Sequence, residues 1–266
     1  QVKASGNIEI YGTVQRAQVE ADGDIIIRQG VTGRGEARIE STGGNVVSKF
    51  LQDAIVVTDK DVIVQEVIMN CDVSAGGRVL CNGKKANILG GRIKAGVLIS
   101  AKNIGSPANP TTELIVGVNP KLLKQIEDYT SKRKDAHEKL EILNKSHKTL
   151  KARQEADPSS FTEENLAYLG KLEVGVKKLE KRIAEYDKEI QTVNSYMEQV
   201  GDQGKVYFEK KMYGGVSVRI KNAEPYKIKN DLQSKTLFLS ENKIQMKAYS
   251  DPDSEKGDTR RGGRRK

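Results

Sequence analysis

The chain has 266 residues and a formal net charge of +9; 36% of its residues are hydrophobic, 30% are charged and 5% are aromatic, with no Trp. That length allows one or two domains with a real core, two cysteines exclude a disulfide framework, and no apolar run approaches the ~20 residues of a membrane helix. A soluble, cytoplasmic protein is predicted, and because the chain opens at Gln1, without Met and already inside a repeated pattern, it is expected to be a piece of something longer.

The first third repeats itself. Val2-Lys3-Ala4-Ser5-Gly6-Asn7-Ile8-Glu9-Ile10 returns 17 residues later as Val19-Glu20-Ala21-Asp22-Gly23-Asp24-Ile25-Ile26-Ile27. Further copies follow at Ile39 to Gly44, Val56 to Val64 and Val73 to Cys81, and a degraded one occupies Ile93 to Ile104. The unit reads as a short alternating strand, a two-residue turn rich in Gly, Asp or Asn, and a second short strand. A unit of 17 to 20 residues cannot bury its own apolar face, whereas stacked copies bury a continuous aliphatic column. Residues 1–118 are therefore predicted to form a single-stranded parallel β-helix, about 30 Å long if six coils stack at ~4.8 Å each. Its narrow interior has no room for rings, which explains why Tyr11 and Phe50 are the only aromatics in the first 106 residues. Cys71 and Cys81 fall among alternating apolar residues and read as buried, reduced thiols.

At Asn119-Pro120 the period changes. Asn119 can cap a helix whose first residue is Pro120, and Leu122, Ile126, Tyr129, Arg133, Ala136, Leu140, Leu143, His147 and Leu150 then step by 4 and 3. Leu172, Val176, Leu179, Ile183, Tyr186, Ile190, Val193, Met197 and Val200 do the same after a breaker at Asp157-Pro158. Residues 119–200 are predicted to be an antiparallel coiled-coil hairpin with arms of about 50 Å, projecting well beyond the solenoid. Gly170 and Gly175 are expected to weaken the start of its second helix. Residues 201–250 return to strands that complete or cap the β-helix, and residues 251–266 read as a disordered basic tail ending in Arg260, Arg261, Arg264, Arg265 and Lys266.

Catalysis finds little support. Six-residue spacings such as Val2, Ile8, Val14 resemble hexapeptide acyltransferase solenoids, but those enzymes need a basic His, and His137 and His147 both fall on the first helix. The paired acids Asp22 with Asp24 and Asp59 with Asp61 suit calcium or water activation, yet the intervening coils break any acidic ladder and Asp is a favoured turn residue. Gly77 to Lys85 has five residues between its glycines where a phosphate loop has four, and no Ser or Thr after the Lys. The reading is non-enzymatic, with no catalytic, metal or cofactor site.

The series Gly6-Asn7-Ile8-Glu9-Ile10-Tyr11-Gly12-Thr13-Val14, Gly30-Val31-Thr32-Gly33-Arg34-Gly35, Lys49-Phe50-Leu51, Lys84-Lys85 before Gly90-Gly91-Arg92-Ile93, the insertion opening at Val118-Asn119-Pro120 and Tyr213-Gly214-Gly215-Val216-Ser217-Val218 resembles the bacterial flagellar assembly protein A family. The resemblance extends to about residue 248. It implies a cytoplasmic, non-enzymatic protein of flagellar assembly or placement, and a right-handed β-helix similar to that of the bactofilins; it brings no catalytic residues.

The expected function is a scaffold acting through protein contacts with flagellar or polar machinery, with Phe161, Ser160 and Glu163 at the hairpin tip as the contact point. A self-assembling, bactofilin-like element would stack solenoid ends into homo-oligomers. A nucleic-acid or anionic-surface binder would act through the basic tail, because seven of the nine excess positive charges lie in residues 201–266. Without interleaved aromatics that binding would be nonspecific and salt-sensitive.

Overall fold

A computed structural model describes residues 1–108, 110–158, 161–199 and 204–252. The basic residues Arg260, Arg261, Arg264, Arg265 and Lys266, and Ser160 of the predicted contact point, lie outside the described residues.

The repeats stack in register on three parallel ladders. Val2, Val19, Ile39, Val56, Val73, Ile93 and Leu114 follow one another on the first. Ile8, Ile25, Val46, Val62, Val79 and Ile99 form the second, and Val14, Val31, Leu51, Ile68, Ile88 and Ile104 the third. From Val19 onward every one of these side chains is at most 1% exposed, so the ladders close around one aliphatic core. The unit is a parallel β-solenoid of about six turns. Each turn has three sides, where the Gly-rich repeat suggests two strands. The third side is short and has one inward residue per turn, as in Thr13–Gln15 with its single inward Val14, and so leaves almost no alternation in the sequence. The six-residue spacings arise here: each marks the step from one side to the next.

Two corners show how the sequence turns. Arg16, Asp53 and Asn70 hold φ of 46°, 49° and 51°, and Gly90 holds 72°. Each follows the inward residue of the third ladder by two positions, so the corner requires left-handed backbone there, which Asn, Asp and Gly tolerate best. At another corner the turn residues chain the coils together. Asn7 Oδ1 accepts from the Asp24 N–H at 2.8 Å, Asp24 Oδ1 from the Asn45 N–H at 2.6 Å, Asn45 Oδ1 from the Asp61 N–H at 3.2 Å, and Asp61 Oδ1 from the Arg78 N–H at 2.7 Å. The repeated Asn and Asp satisfy backbone donors that a corner leaves without a sheet partner.

Two 37-residue helices follow, α1 (Pro120–Ala156) and α2 (Glu163–Gln199). Asn119 Oδ1 accepts from the Lys121 N–H at 2.9 Å, and Thr162 Oγ1 from the Asn165 N–H at 3.3 Å, so both helices start on side-chain caps. Arg133 meets Asp187 at 2.7 Å, the rings of Tyr129 and Tyr186 lie 6.2 Å apart, and His147 lies 3.4 Å from Glu173. Ala136, Leu172 and Ile183 are buried on the predicted seams. Gly170 and Gly175 do not interrupt α2. At Gly175 a Cβ would stand 3.2 Å from Leu143 Cδ1, so the missing side chain makes room for α1. The chain divides into two compact units, the helical one beginning at Leu122 and the other combining Gln1–Lys121 with the strands after α2.

Those strands rejoin the ladders where the helices interrupted them. Val206 pairs beside Ile99, Met212 beside Ile104 and Val218 beside Leu114, all parallel. Leu232–Ser240 then runs antiparallel on Lys205–Met212, Lys243–Ala248 antiparallel on that, and Tyr226–Lys227 antiparallel on Ser217–Ile220. The first strands extend the solenoid and the later ones cover its last rung. Among the described residues a ring enters the core only here, at Phe208; Tyr207, next to it on the strand, is buried on the opposite face.

Candidate functional site

In the solenoid unit, an open cleft of about 860 Å³ forms where the strands after α2 reverse direction, lined by Pro107, Lys211, Tyr213, Gly214, Gly215, Lys229, Asn230 and Asp231. The turn at Gly214-Gly215 is held from the opposing segment: the Gly214 N–H donates to Asp231 Oδ1 at 2.9 Å, and the Gly215 N–H to the Ile228 carbonyl at 2.8 Å. Gly215 has φ of 89°, and a Cβ on Gly214 would stand 3.0 Å from the Lys229 carbonyl oxygen. Two glycines in sequence answer two separate demands, left-handed backbone and close approach.

Across this turn Lys211 Nζ lies 2.8 Å from Asp231 Oδ2 and 4.5 Å from the centre of the Tyr213 ring. The hydrogen bond to Asp231 raises the Lys211 pKa, and the same bond, with the Gly214 N–H, lowers that of Asp231. Both groups are solvent-accessible, so the pair fixes geometry more than it stabilises. With the ammonium neutralised and the ring face covered, the cleft offers Lys229, Asn230 and backbone groups for polar contact. The sequence signal was the Tyr213-Gly214-Gly215 run; Asp231, which completes the arrangement, carries no local mark because an antiparallel reversal brings it there.

The acids that suggested metal chemistry each have a partner, three of them on the next coil and Asp59 at the start of α1. Asp22 Oδ1 accepts from Thr42 Oγ1 at 3.1 Å, Asp59 pairs with Lys121, and Asp24 takes the Asn45 backbone and side-chain N–H groups. Asp61 binds the Arg78 guanidinium through Nε at 2.9 Å and a terminal nitrogen at 2.7 Å. Among the described residues no group of three His, Cys, Asp or Glu side chains could hold a metal ion. His137 is exposed on α1 and His147 faces Glu173. Cys71 and Cys81 are free and buried, and burial pushes their thiols up to about 11 and about 12, which removes thiolate reactivity at neutral pH.

In the helical unit, Phe161 is half-buried immediately before the Thr162 cap, and Glu163 is exposed in the first turn of α2. Among the described residues no helix is long and apolar enough to cross a membrane.

Comparison with protein families decides the identity of this arrangement. A model of the flagellar assembly protein A β-solenoid domain matches residues 1–244, spanning the six-turn ladder, both helices and the returning strands up to the start of Lys243–Ala248. The chain belongs to the flagellar assembly protein A family. No curated protein and no solved structure matches it. The Tyr213–Asp231 cleft lies inside the matched region, as does the Phe161 turn.

Proposed function

We propose that this member of the flagellar assembly protein A family is a non-enzymatic cytoplasmic scaffold, acting in flagellar assembly or placement through protein contacts. The observation that carries this reading is the way α1 and α2 are inserted. Ile99 and Val206 are neighbours on one ladder although 107 residues apart in sequence, so the ladder resumes in register after an insertion of two helices. A rigid platform that tolerates so long an insertion is built to present it. The contacts Arg133 with Asp187, Tyr129 with Tyr186 and His147 with Glu173 support an antiparallel coiled-coil hairpin with Phe161 and Glu163 at its tip. The β-helix is right-handed in this proposal, as the family resemblance implies.

The carboxylates, hydroxyls and amides that might have supplied chemistry serve the stacking of coils, which supports binding over catalysis. Antiparallel strands over the last rung weigh against end-to-end stacking at that end. Replacing residues 155–165 by a short Gly-Ser turn is expected to leave the solenoid folded while abolishing recovery of flagellar or polar partners in pull-downs from native cells. Unchanged recovery would overturn the tip assignment.

A further inference from the structure

The outer side of α2 carries a face that the hairpin does not use. Glu163, Leu166, Gly170, Val174 and Lys177 are all exposed, with Leu166 at 48% and Val174 at 67%. At 100° per residue they form one stripe, centred roughly 160° around the helix from the Leu172, Leu179 and Ile183 seam. Gly170 between Leu166 and Val174 has no internal explanation: a Cβ there would meet nothing within 4 Å, and a mid-helix glycine costs about 1 kcal/mol relative to Ala.

The stripe is palindromic in chemistry about Gly170. Reading outward in both directions gives a large aliphatic residue four positions away, Leu166 and Val174, and a charge seven positions away, Glu163 and Lys177. A second copy laid antiparallel, with Gly170 against Gly170, therefore sets Leu166 against Val174 and Glu163 against Lys177, each pairing occurring twice. Such self-complementarity is what a two-fold interface requires. The two glycines at its centre let the helix backbones approach closely, over a contact about 21 Å long. An unrelated partner helix would have no reason to match a charge pattern of opposite sign at the two ends of one stripe.

We infer that two copies of this chain associate through the Glu163–Lys177 face of α2, in an antiparallel helix pair centred on Gly170. This association is distinct from the scaffold reading: the two share only Glu163, while Leu166, Gly170, Val174 and Lys177 lie outside the proposed tip, so Lys177→Glu and Val174→Asp test the dimer without touching it.

Charge reversal tests it on the full 266-residue chain by sedimentation velocity over a concentration series, with circular dichroism as a check on helix content. Glu163→Lys and Lys177→Glu should each weaken the dimer about tenfold by turning two exposed attractive pairs repulsive. The double reversal should restore it, and so should an equimolar mixture of the two single variants, because their heterodimer recovers both attractive pairs. Val174→Asp should abolish dimerisation with the helix signal unchanged. A parent chain that stays monomeric at high micromolar concentration, or a dimer indifferent to the charge reversals, would overturn the proposal; loss of partner recovery with the dimer intact would concern the scaffold reading alone.

Discussion

Asp61 offers the sharpest test of the corner ladder. Its carboxylate accepts the Arg78 backbone N–H at 2.7 Å and two guanidinium nitrogens at 2.9 and 2.7 Å. The two side chains are only 18% and 28% exposed. In Asp61→Ala the Arg78 N–H loses its acceptor at a half-buried corner, worth about 1 kcal/mol, and the fork-like ion pair is lost for about 1 kcal/mol more after allowing for its exposure. In Asp61→Asn the amide oxygen still accepts from the Arg78 N–H, as Asn7 and Asn45 do for the next coil, so only the ionic part disappears. The expected losses are therefore about 2 kcal/mol for Ala and about 1 kcal/mol for Asn. Hydrogen exchange reads the effect locally: the Arg78 amide should exchange about 30-fold faster in the Ala variant and about 5-fold faster in the Asn variant. Equal acceleration in both, or none in either, would refute the claim that the Asx side chains hold one coil to the next.

Three further outcomes follow from the same geometry. Ile68→Ala, at a position with 0% exposure on the third ladder, should cost about 2–5 kcal/mol in urea denaturation, whereas Ile55→Ala, 40% exposed beside the inward Val56, should cost under about 1 kcal/mol; similar losses would contradict the three-sided register. Gly30→Ala should destabilise by about 1–3 kcal/mol because its Cβ would sit 2.5 Å from the Phe50 ring, and most of that cost should vanish in the Phe50→Ala background, as a double-mutant cycle would show. Cys71 and Cys81 should react with a thiol reagent only after unfolding. Their raised pKa values mean that the folded state holds these protons more tightly. That contribution is complete below the ordinary thiol value and declines as pH rises toward about 11 and about 12. Stability should therefore fall more steeply above about pH 9 in the parent than in a Cys71→Ala, Cys81→Ala variant, and parallel curves would refute the burial argument.

Much of the candidate binding surface was hidden from sequence reading for a topological reason. Phe161 and Glu163 stand two residues apart at a Pro-marked break between heptad segments, so the end of one helix and the start of the next were legible from spacing alone. The Lys211–Asp231 pair was not, because a reversal near Ile228 brings together residues 20 positions apart in sequence. The outer stripe of α2 was concealed differently: Leu166, Gly170 and Val174 fall off the heptad seam and look like noise until the opposite face is seen to be occupied.

Composition and periodicity alone established a β-solenoid, two capped helices and strands after them, since one-dimensional stacking and heptad packing write their periods directly into the chain. The number of sides per turn needed the tertiary structure, because a short side with one inward residue has no readable alternation. So did the roles of the turn acids. Whether Asp24 and Asp61 hold a metal or cap the next coil depends on which backbone N–H lies within 3 Å of each carboxylate, and stacking alone decides that.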